Sequence, residues 1–121
     1  MKKLIIAVVL LLSICGCTQE QQTEIKQVTC NEKDEILEKN KQAMLIDVRT
    51  EEEYKEKHLD DAINIPYDVI GDTIETYGTI DFDTPIIVYC KSGGRSSQAA
   101  ETLKEKGYTK IYDLGAISNC D

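Results

Sequence analysis

The chain has 121 residues, enough for one small domain, and its 22 acidic and 14 basic residues give a formal net charge of −8. An acidic chain lacks the basic surface of a nucleic-acid-binding protein and of a protein held to anionic lipid by surface charge. With a single histidine and no Cys-x-x-Cys pair, the sequence also argues against a zinc site.

The first residues predict an export signal. Two lysines precede an apolar run at residues 4–15, which is short for a membrane span but suits a signal peptide. The pair Gly16-Cys17 resembles the lipobox of bacterial lipoproteins. By that resemblance, residues 1–16 are a lipoprotein signal peptide, and Cys17 is the lipidated N-terminus of an extracytoplasmic protein anchored to a bacterial membrane by lipid alone. An uncleaved anchor and a plain secretory signal are the alternatives.

Removal of residues 1–16 takes away two lysines and no acids, which leaves 12 basic and 22 acidic residues and a net charge of −10. Residues 17–24 are then the lipidated cysteine and a polar tether. Disulfides are allowed in an exported protein. The three cysteines that remain form either one pair and one free thiol or three free thiols: Cys30, Cys90 and Cys120.

Residues 25–121 predict a single α/β domain. Near-continuous apolar runs, such as residues 43–48, suit parallel strands that are covered on both faces. Thr50 opens a capping box for the second helix. The predicted strands are residues 25–29, 43–48, 62–65, 86–89 and 110–114, and the predicted helices are residues 31–41, 51–57, 67–77 and 95–106. This alternation indicates a mostly parallel five-stranded sheet with helices on both faces.

One stretch of the domain carries a candidate reactive group. The strand at residues 86–89 is followed by Cys90, the pair Gly93-Gly94, and Arg95 at the start of a helix. Backbone N–H groups of such a loop, together with the helix N-terminus, would stabilise a thiolate. Ligands of parallel sheets bind beyond the carboxyl ends of the strands, where this cysteine lies. A buried, inert thiol is the alternative.

Four segments together resemble the rhodanese-like sulfurtransferases. They are residues 45–54 (LIDVRTEEEY), 58–66 (HLDDAINIP), 88–96 (VYCKSGGRS) and 112–116 (YDLGA). They occur in the family's order within residues 25–120. The pair Asp60-Asp61 replaces the usual Pro-Gly of a turn, and Cys120 stands where many members carry a tryptophan. The resemblance implies a single rhodanese-like domain.

The resemblance also implies a reaction. Cys90 would attack the outer sulfur of a small anionic donor such as thiosulfate, become a persulfide, and pass the sulfur to a thiol or to cyanide. No metal or organic cofactor would be needed. Four residues separate Cys90 from Arg95, one fewer than in related phosphatases, which favours sulfur over phosphate. The loop that binds substrate and persulfide would comprise Lys91, Ser92, Gly93, Gly94, Arg95 and Ser96.

Other residues receive supporting roles. Asp47, Arg49 and His58 are expected to organise the site, with Arg49 paired to a nearby acid. Arg95 either fixes the loop or binds substrate, and Lys91 binds substrate or is simply solvated. The acidic residues 51–53 are interpreted as a helix start and a solvated face.

In the family, the first and last strands are neighbours, so Cys30 and Cys120 would lie at the same edge of the sheet. We therefore predict a structural disulfide that closes a loop of about 90 residues. In the rival hypothesis, Cys90 pairs reversibly with Cys120 or Cys30 in a thiol redox protein. A catalytically silent binding module is the third hypothesis. We expect a monomer that touches the membrane only through its lipid.

Overall fold

The structure, a computed structural model, describes residues 23–78 and 80–121. The predicted signal peptide, Cys17 and most of the tether lie outside these residues. Among the described residues, no helix combines the length and the apolar character needed to cross a membrane.

In the described part of the chain, five strands form one sheet in the order β1-β5-β4-β2-β3, and every neighbouring pair is parallel. The strands are β1 (Lys26–Gln27), β2 (Met44–Asp47), β3 (Ile63–Asn64), β4 (Ile86–Cys90) and β5 (Ile111–Ala116). The helices are α1 (Cys30–Lys39), α2 (Glu51–Glu56), α3 (Ile70–Thr73) and α4 (Gly94–Glu105), and 3₁₀ turns span Ile74–Thr76 and Ile117–Cys120. The predicted α/β fold is confirmed, and the first and last strands are neighbours.

The central strand β4 is buried along its whole length and separates two hydrophobic clusters. Because side chains alternate along a strand, Val88 and Cys90 pack in the cluster that includes α3 and α4. Ile87 and Tyr89 pack in the other cluster, against side chains of α1 and α2. Each fully buried large apolar side chain contributes about 1.5–3 kcal/mol. This strand therefore holds Cys90 at a rigid edge of the domain.

Helix α1 begins earlier than predicted. Thr29 caps it: the Thr29 hydroxyl accepts a hydrogen bond from the Glu32 N–H at 3.1 Å, and the Glu32 carboxylate accepts one from the Thr29 N–H at 2.8 Å. This reciprocal pair is a capping box, and it makes Cys30 the first helical residue. The helix predicted at residues 31–41 therefore begins one residue earlier, and Thr29, which was predicted to lie in the first strand, is its cap.

Helix α3 is a single turn, much shorter than the predicted helix at residues 67–77. Val69 has φ −121° and ψ 3°, outside the helical region, and its N–H donates to the carbonyl of Pro66 in a turn. Its side chain is 47% exposed, although an apolar residue in an amphipathic helix at residues 67–77 would be expected to face inward. Ile70 and Ile74 are fully buried. The turn after Pro66 uses the residues that were expected to form the first helical turn.

Strand β5 runs two residues past its predicted end and contains a bulge. Val88 pairs with Asp113 and Tyr89 pairs with Gly115, so Leu114 is an additional residue on β5. Gly115 has φ +82°, which glycine adopts easily, and its N–H donates to the Asp113 carboxylate at 2.9 Å. The strand therefore continues until its last residue lies opposite Cys90.

Candidate functional site

Cys90 is the last residue of β4, at the carboxyl edge of the sheet, and it is fully buried. Its Sγ accepts hydrogen bonds from the backbone N–H groups of Gly93 at 2.9 Å and Ser96 at 3.3 Å. The sulfur thus sits in a cradle of backbone donors, the arrangement that stabilises an anion. Lys91 and Ser92 lie exposed above it.

Gly93 shapes the cradle. It occupies the N-cap position of α4 with φ +105°, a left-handed conformation that other residues adopt at a cost. This conformation aims its N–H back at Sγ. The buried Ser96 hydroxyl donates to the Gly93 carbonyl at 3.1 Å and locks the turn. The loop and the first turn of α4 are therefore built around the sulfur.

These contacts determine the acidity of the thiol. Burial alone raises the pKa of Cys90, because a thiolate loses solvation. The adjacent Ser96 side chain, followed by hydrogen bonds from the backbone N–H groups of Ser96 and Gly93, outweighs that effect and leaves the pKa of Cys90 below its ordinary value. A depressed pKa provides more thiolate, which is the nucleophilic form.

Arg95 does not extend freely toward solvent. Its guanidinium donates to the two carboxylate oxygens of Glu53 at 2.7 and 3.2 Å, and each side chain is a little over a quarter exposed. Glu53 also accepts from the Thr50 N–H at 3.0 Å and so caps α2. The ion pair with Arg95, helped by the Thr50 backbone, lowers the pKa of Glu53 to about 2.

Glu53 is a residue of the site that the sequence analysis assigned to a solvated face. The capping box pointed to its contact with Thr50. The contact with Arg95 spans 42 positions and depends on how α2 and α4 pack. Glu53 therefore joins the helix that follows β2 to the cysteine loop that follows β4.

Asp47 and Arg49 form a buried ion pair near the loop. Arg49 Nε and Nη2 donate to the Asp47 carboxylate at 2.9 and 2.7 Å, so Asp47 is the acid that the sequence left unidentified. Tyr89 adds a hydrogen bond from its hydroxyl to Asp47 at 2.8 Å. Arg49 Nη2 also donates to the carbonyl of Lys57 at 2.6 Å, which fixes the end of α2. The network organises the strand ends around Cys90.

Tyr89 was not singled out from the sequence, because a tyrosine within an apolar strand looks like a core residue. Its hydroxyl accepts from the Leu59 N–H at 3.0 Å while donating to Asp47. Burial, together with the neighbouring Asp47 carboxylate, raises the pKa of Tyr89, so the phenol stays protonated. It acts as a fixed bridge between β2 and the turn after α2.

His58 lies in the turn after α2, and its ring stacks on Tyr54 with ring centroids 3.8 Å apart. Its Nδ1 is 2.8 Å from the Tyr54 carbonyl oxygen. The groups that bond to the Cys90 sulfur do not include it. This placement fits a turn residue better than a base acting on Cys90.

Cys30 and Cys120 form a disulfide with a Cα–Cα distance of 5.3 Å, well inside the limit of about 7 Å for such a bond. The bond ties the start of α1 to the 3₁₀ turn that follows β5. Among the described residues, Cys90 is the one free cysteine. Cys120 packs in the cluster of Tyr89, whereas Cys90 packs in the other cluster, so the sheet separates the free thiol from the disulfide.

Comparisons with known proteins agree with this geometry. The family model of the rhodanese-like domain matches residues 29–117. The thiosulfate sulfurtransferase PspE of Escherichia coli (strain K12) is 39% identical over 74 residues, which are 61% of this chain and 70% of that protein. The uncharacterized protein YqhL of Bacillus subtilis (strain 168) is 38% identical over 74 residues, 61% of this chain and 56% of that protein.

Solved structures show the same fold. A structure described as a rhodanese with anions from E. coli is 38% identical, covers 64% of this chain and 89% of its own, and has a TM-score of 0.60. The human single-domain sulfurtransferase TSTD1 covers 80% of this chain and 96% of its own, with a TM-score of 0.69. At 22% identity, the human protein supports the fold alone.

Proposed function

The chain belongs to the rhodanese-like domain family, and we propose that it is a sulfurtransferase in which Cys90 carries a sulfane sulfur as a persulfide. The observation that supports this most directly is the cradle itself. A buried thiol with a lowered pKa accepts two backbone hydrogen bonds from a short loop. The 39% identity to a thiosulfate sulfurtransferase supports the same reaction class.

The proposed reaction has two steps. The Cys90 thiolate attacks the outer sulfur of thiosulfate, the bond between the two sulfurs of thiosulfate breaks, and sulfite leaves with the electron pair. Cyanide or a thiolate then attacks the outer sulfur of the Cys90 persulfide, and the Cys90 thiolate is regenerated. With cyanide the product is thiocyanate. Charge and sulfur balance in both steps without an oxidant or a metal.

The cradle suits these steps because its donors are fixed before the reaction starts. The Gly93 and Ser96 N–H groups contact the thiolate and would also stabilise the anionic persulfide. Only four residues separate Cys90 from Arg95, a tighter turn than a phosphate cradle requires. The redox alternative has less support, because Cys30 and Cys120 already pair with each other across the sheet from Cys90.

The test is a thiosulfate:cyanide assay on the full chain, with thiocyanate as the readout, and mass spectrometry of the peptide that contains Cys90. We expect turnover, and a gain of one sulfur on that peptide, in the wild type. Cys90→Ser should abolish both. The control is Glu52→Gln, an exposed change on α2, which should retain both. Wild-type protein that neither gains sulfur nor turns over with any sulfane donor contradicts the proposal.

We also propose that residues 1–16 are an export signal and that Cys17 carries the lipid, which would place the enzyme outside the cytoplasm. The support is the apolar run followed by Gly16-Cys17. Metabolic labelling with a radioactive fatty acid tests this assignment. Label should enter the wild type and Cys15→Ala, and Cys17→Ala should remain unlabelled. Equal labelling of all three proteins refutes the assignment of Cys17.

A further inference from the structure

The charges around the cysteine loop are almost entirely paired. Arg49 is bonded to Asp47 at 2.7 Å, and Arg95 is bonded to Glu53 at 2.7 Å. Each pair is formally neutral. Lys91 is the remaining cation of the loop, and it is exposed with no carboxylate within 4 Å in the described part of the chain. The site therefore has little net positive charge to offer a dianion.

The rest of the chain does not supply the missing attraction. Its net charge of −8 repels anions at long range, and the cradle must already hold a negative thiolate. A second or third negative charge brought to the loop needs a free cation close by. Lys91 is exposed to solvent, so the partly buried candidate is the Arg95 guanidinium, and both of its bonds go to the Glu53 carboxylate.

We propose that Glu53 is a specificity-determining residue. Because it holds Arg95 in an ion pair, Glu53 disfavours doubly charged donors such as thiosulfate. It thereby favours sulfane donors that carry at most one negative charge. The proposal rests on the proposed sulfurtransferase function. Organic persulfides of small neutral thiols fit this class. The Cys90 thiolate attacks the outer sulfur of R–S–SH, the S–S bond breaks, R–S⁻ leaves with the electron pair, and the proton stays on the new Cys90 persulfide.

Glu53→Gln tests the role of the charge without removing the helix cap, because glutamine can make the same capping contact with Thr50. Loss of the carboxylate frees Arg95 to bind an anion. We expect the KM for thiosulfate to fall about tenfold, the size of effect that one nearby charge produces at a partly exposed site. Turnover of hydroxyethyl persulfide should change by less than about twofold.

Glu52→Gln is the matched control. It lies on the same helix, is exposed, and changes the net charge of the protein by the same amount without releasing Arg95. Its KM for thiosulfate should stay within about twofold of the wild type. An equal fall of the KM in both variants overturns the proposal, because the effect would then be one of overall charge.

A second measurement does not depend on sulfur transfer. Iodoacetate and iodoacetamide alkylate the same thiolate and differ in one negative charge, so the ratio of their rates at Cys90 reports the anion preference of the loop. The ratio cancels any change in the pKa of Cys90. It can be followed in the full chain by mass spectrometry of the Cys90 peptide.

The alkylation ratio should rise in Glu53→Gln and fall in Arg95→Gln, where the carboxylate loses its partner. It should return close to the wild-type value in the double variant. A ratio that does not rise in Glu53→Gln overturns the proposal. Wild-type protein that transfers sulfur from neither donor refutes the proposed function instead, and the alkylation ratios then decide the role of Glu53 on their own.

Discussion

Gly93→Ala tests whether the geometry of the loop makes Cys90 reactive. Gly93 has φ +105°, and a β-carbon built there would meet no atom within 4 Å, so the cost comes from backbone strain and not from a clash. A non-glycine residue in such a conformation costs about 1–3 kcal/mol. For a domain of this size, each kcal/mol corresponds to a fall in melting temperature of roughly 4–8 °C.

Relief of that strain has a second effect. If the loop relaxes toward negative φ, the Gly93 N–H turns away from Sγ, and the 2.9 Å hydrogen bond is lost. A hydrogen bond to a charged group contributes about 1.5–3 kcal/mol, so the thiolate becomes less stable. We expect the pKa of Cys90 to rise in Gly93→Ala, and alkylation by iodoacetamide at pH 7 to slow at least about tenfold.

Gly94→Ala is the matched control for this experiment. Gly94 is the first residue of α4, has no positive φ, and also has open space around its missing β-carbon. Alanine is a better helix former than glycine, so this variant should be as stable as the wild type or up to about 1 kcal/mol more stable. Urea unfolding and the pH dependence of alkylation measure both effects. If the two variants behave alike, the reasoning about Gly93 is wrong.

Three further predictions follow from the same contacts. Replacing Cys30 and Cys120 together by serine should lower the free energy of unfolding by about 4–5 kcal/mol, the value that the chain-entropy model gives for a separation of 90 residues. Urea unfolding measures this change, and an unchanged midpoint would contradict a structural role for the disulfide. Ser96→Ala removes a hydroxyl that helps to lower the pKa of Cys90, so the alkylation-pH profile should move to higher pH, and an unmoved profile would argue against this contact. The pKa of Glu53 falls from 4.5 to about 2 on folding, so its ion pair stabilises the protein above about pH 4.5, and this stability is lost as the pH drops toward 2. Glu53→Gln should therefore lose less stability than the wild type between about pH 4.5 and about pH 2. Identical acid-unfolding curves for the two proteins would count against this role of Glu53.

The sheet could be predicted because its strands are short apolar runs with clear boundaries. Residues 86–89 are apolar and residues 43–48 are apolar apart from Asp47, and both runs became neighbouring buried strands near the centre of the sheet. Cys90 follows residues 86–89 in the sequence, so a parallel sheet places it at the carboxyl edge. The start of α1 was missed because Thr29 looked like a strand residue, although the Glu three positions later completes a capping box.

The charge pairing of the site was harder to predict. Asp47 and Arg49 are two positions apart, so a local contact was a reasonable expectation. Glu53 and Arg95 meet only because α2 and α4 both begin at the carboxyl edge of the sheet. The capping box distinguishes Glu53 from Glu51 and Glu52 as the partner of Thr50, but it gives no sign of the contact with Arg95. A long-range ion pair of this kind depends on packing that residue patterns do not report.

The parallel arrangement of the sheet also bears on the proposed lipid anchor at Cys17. The chain enters the described domain at the amino end of β1, whereas Cys90 lies at the carboxyl end of β4. Lys26 pairs with Tyr112, which pairs with Ile87, so β1 begins three residues, about 10 Å, closer than Cys90 to the amino edge of the sheet. A protein tethered through residues that precede β1 would turn its reactive loop outward. Donors and acceptors would then approach from the solvent, without passing between the domain and the lipid surface.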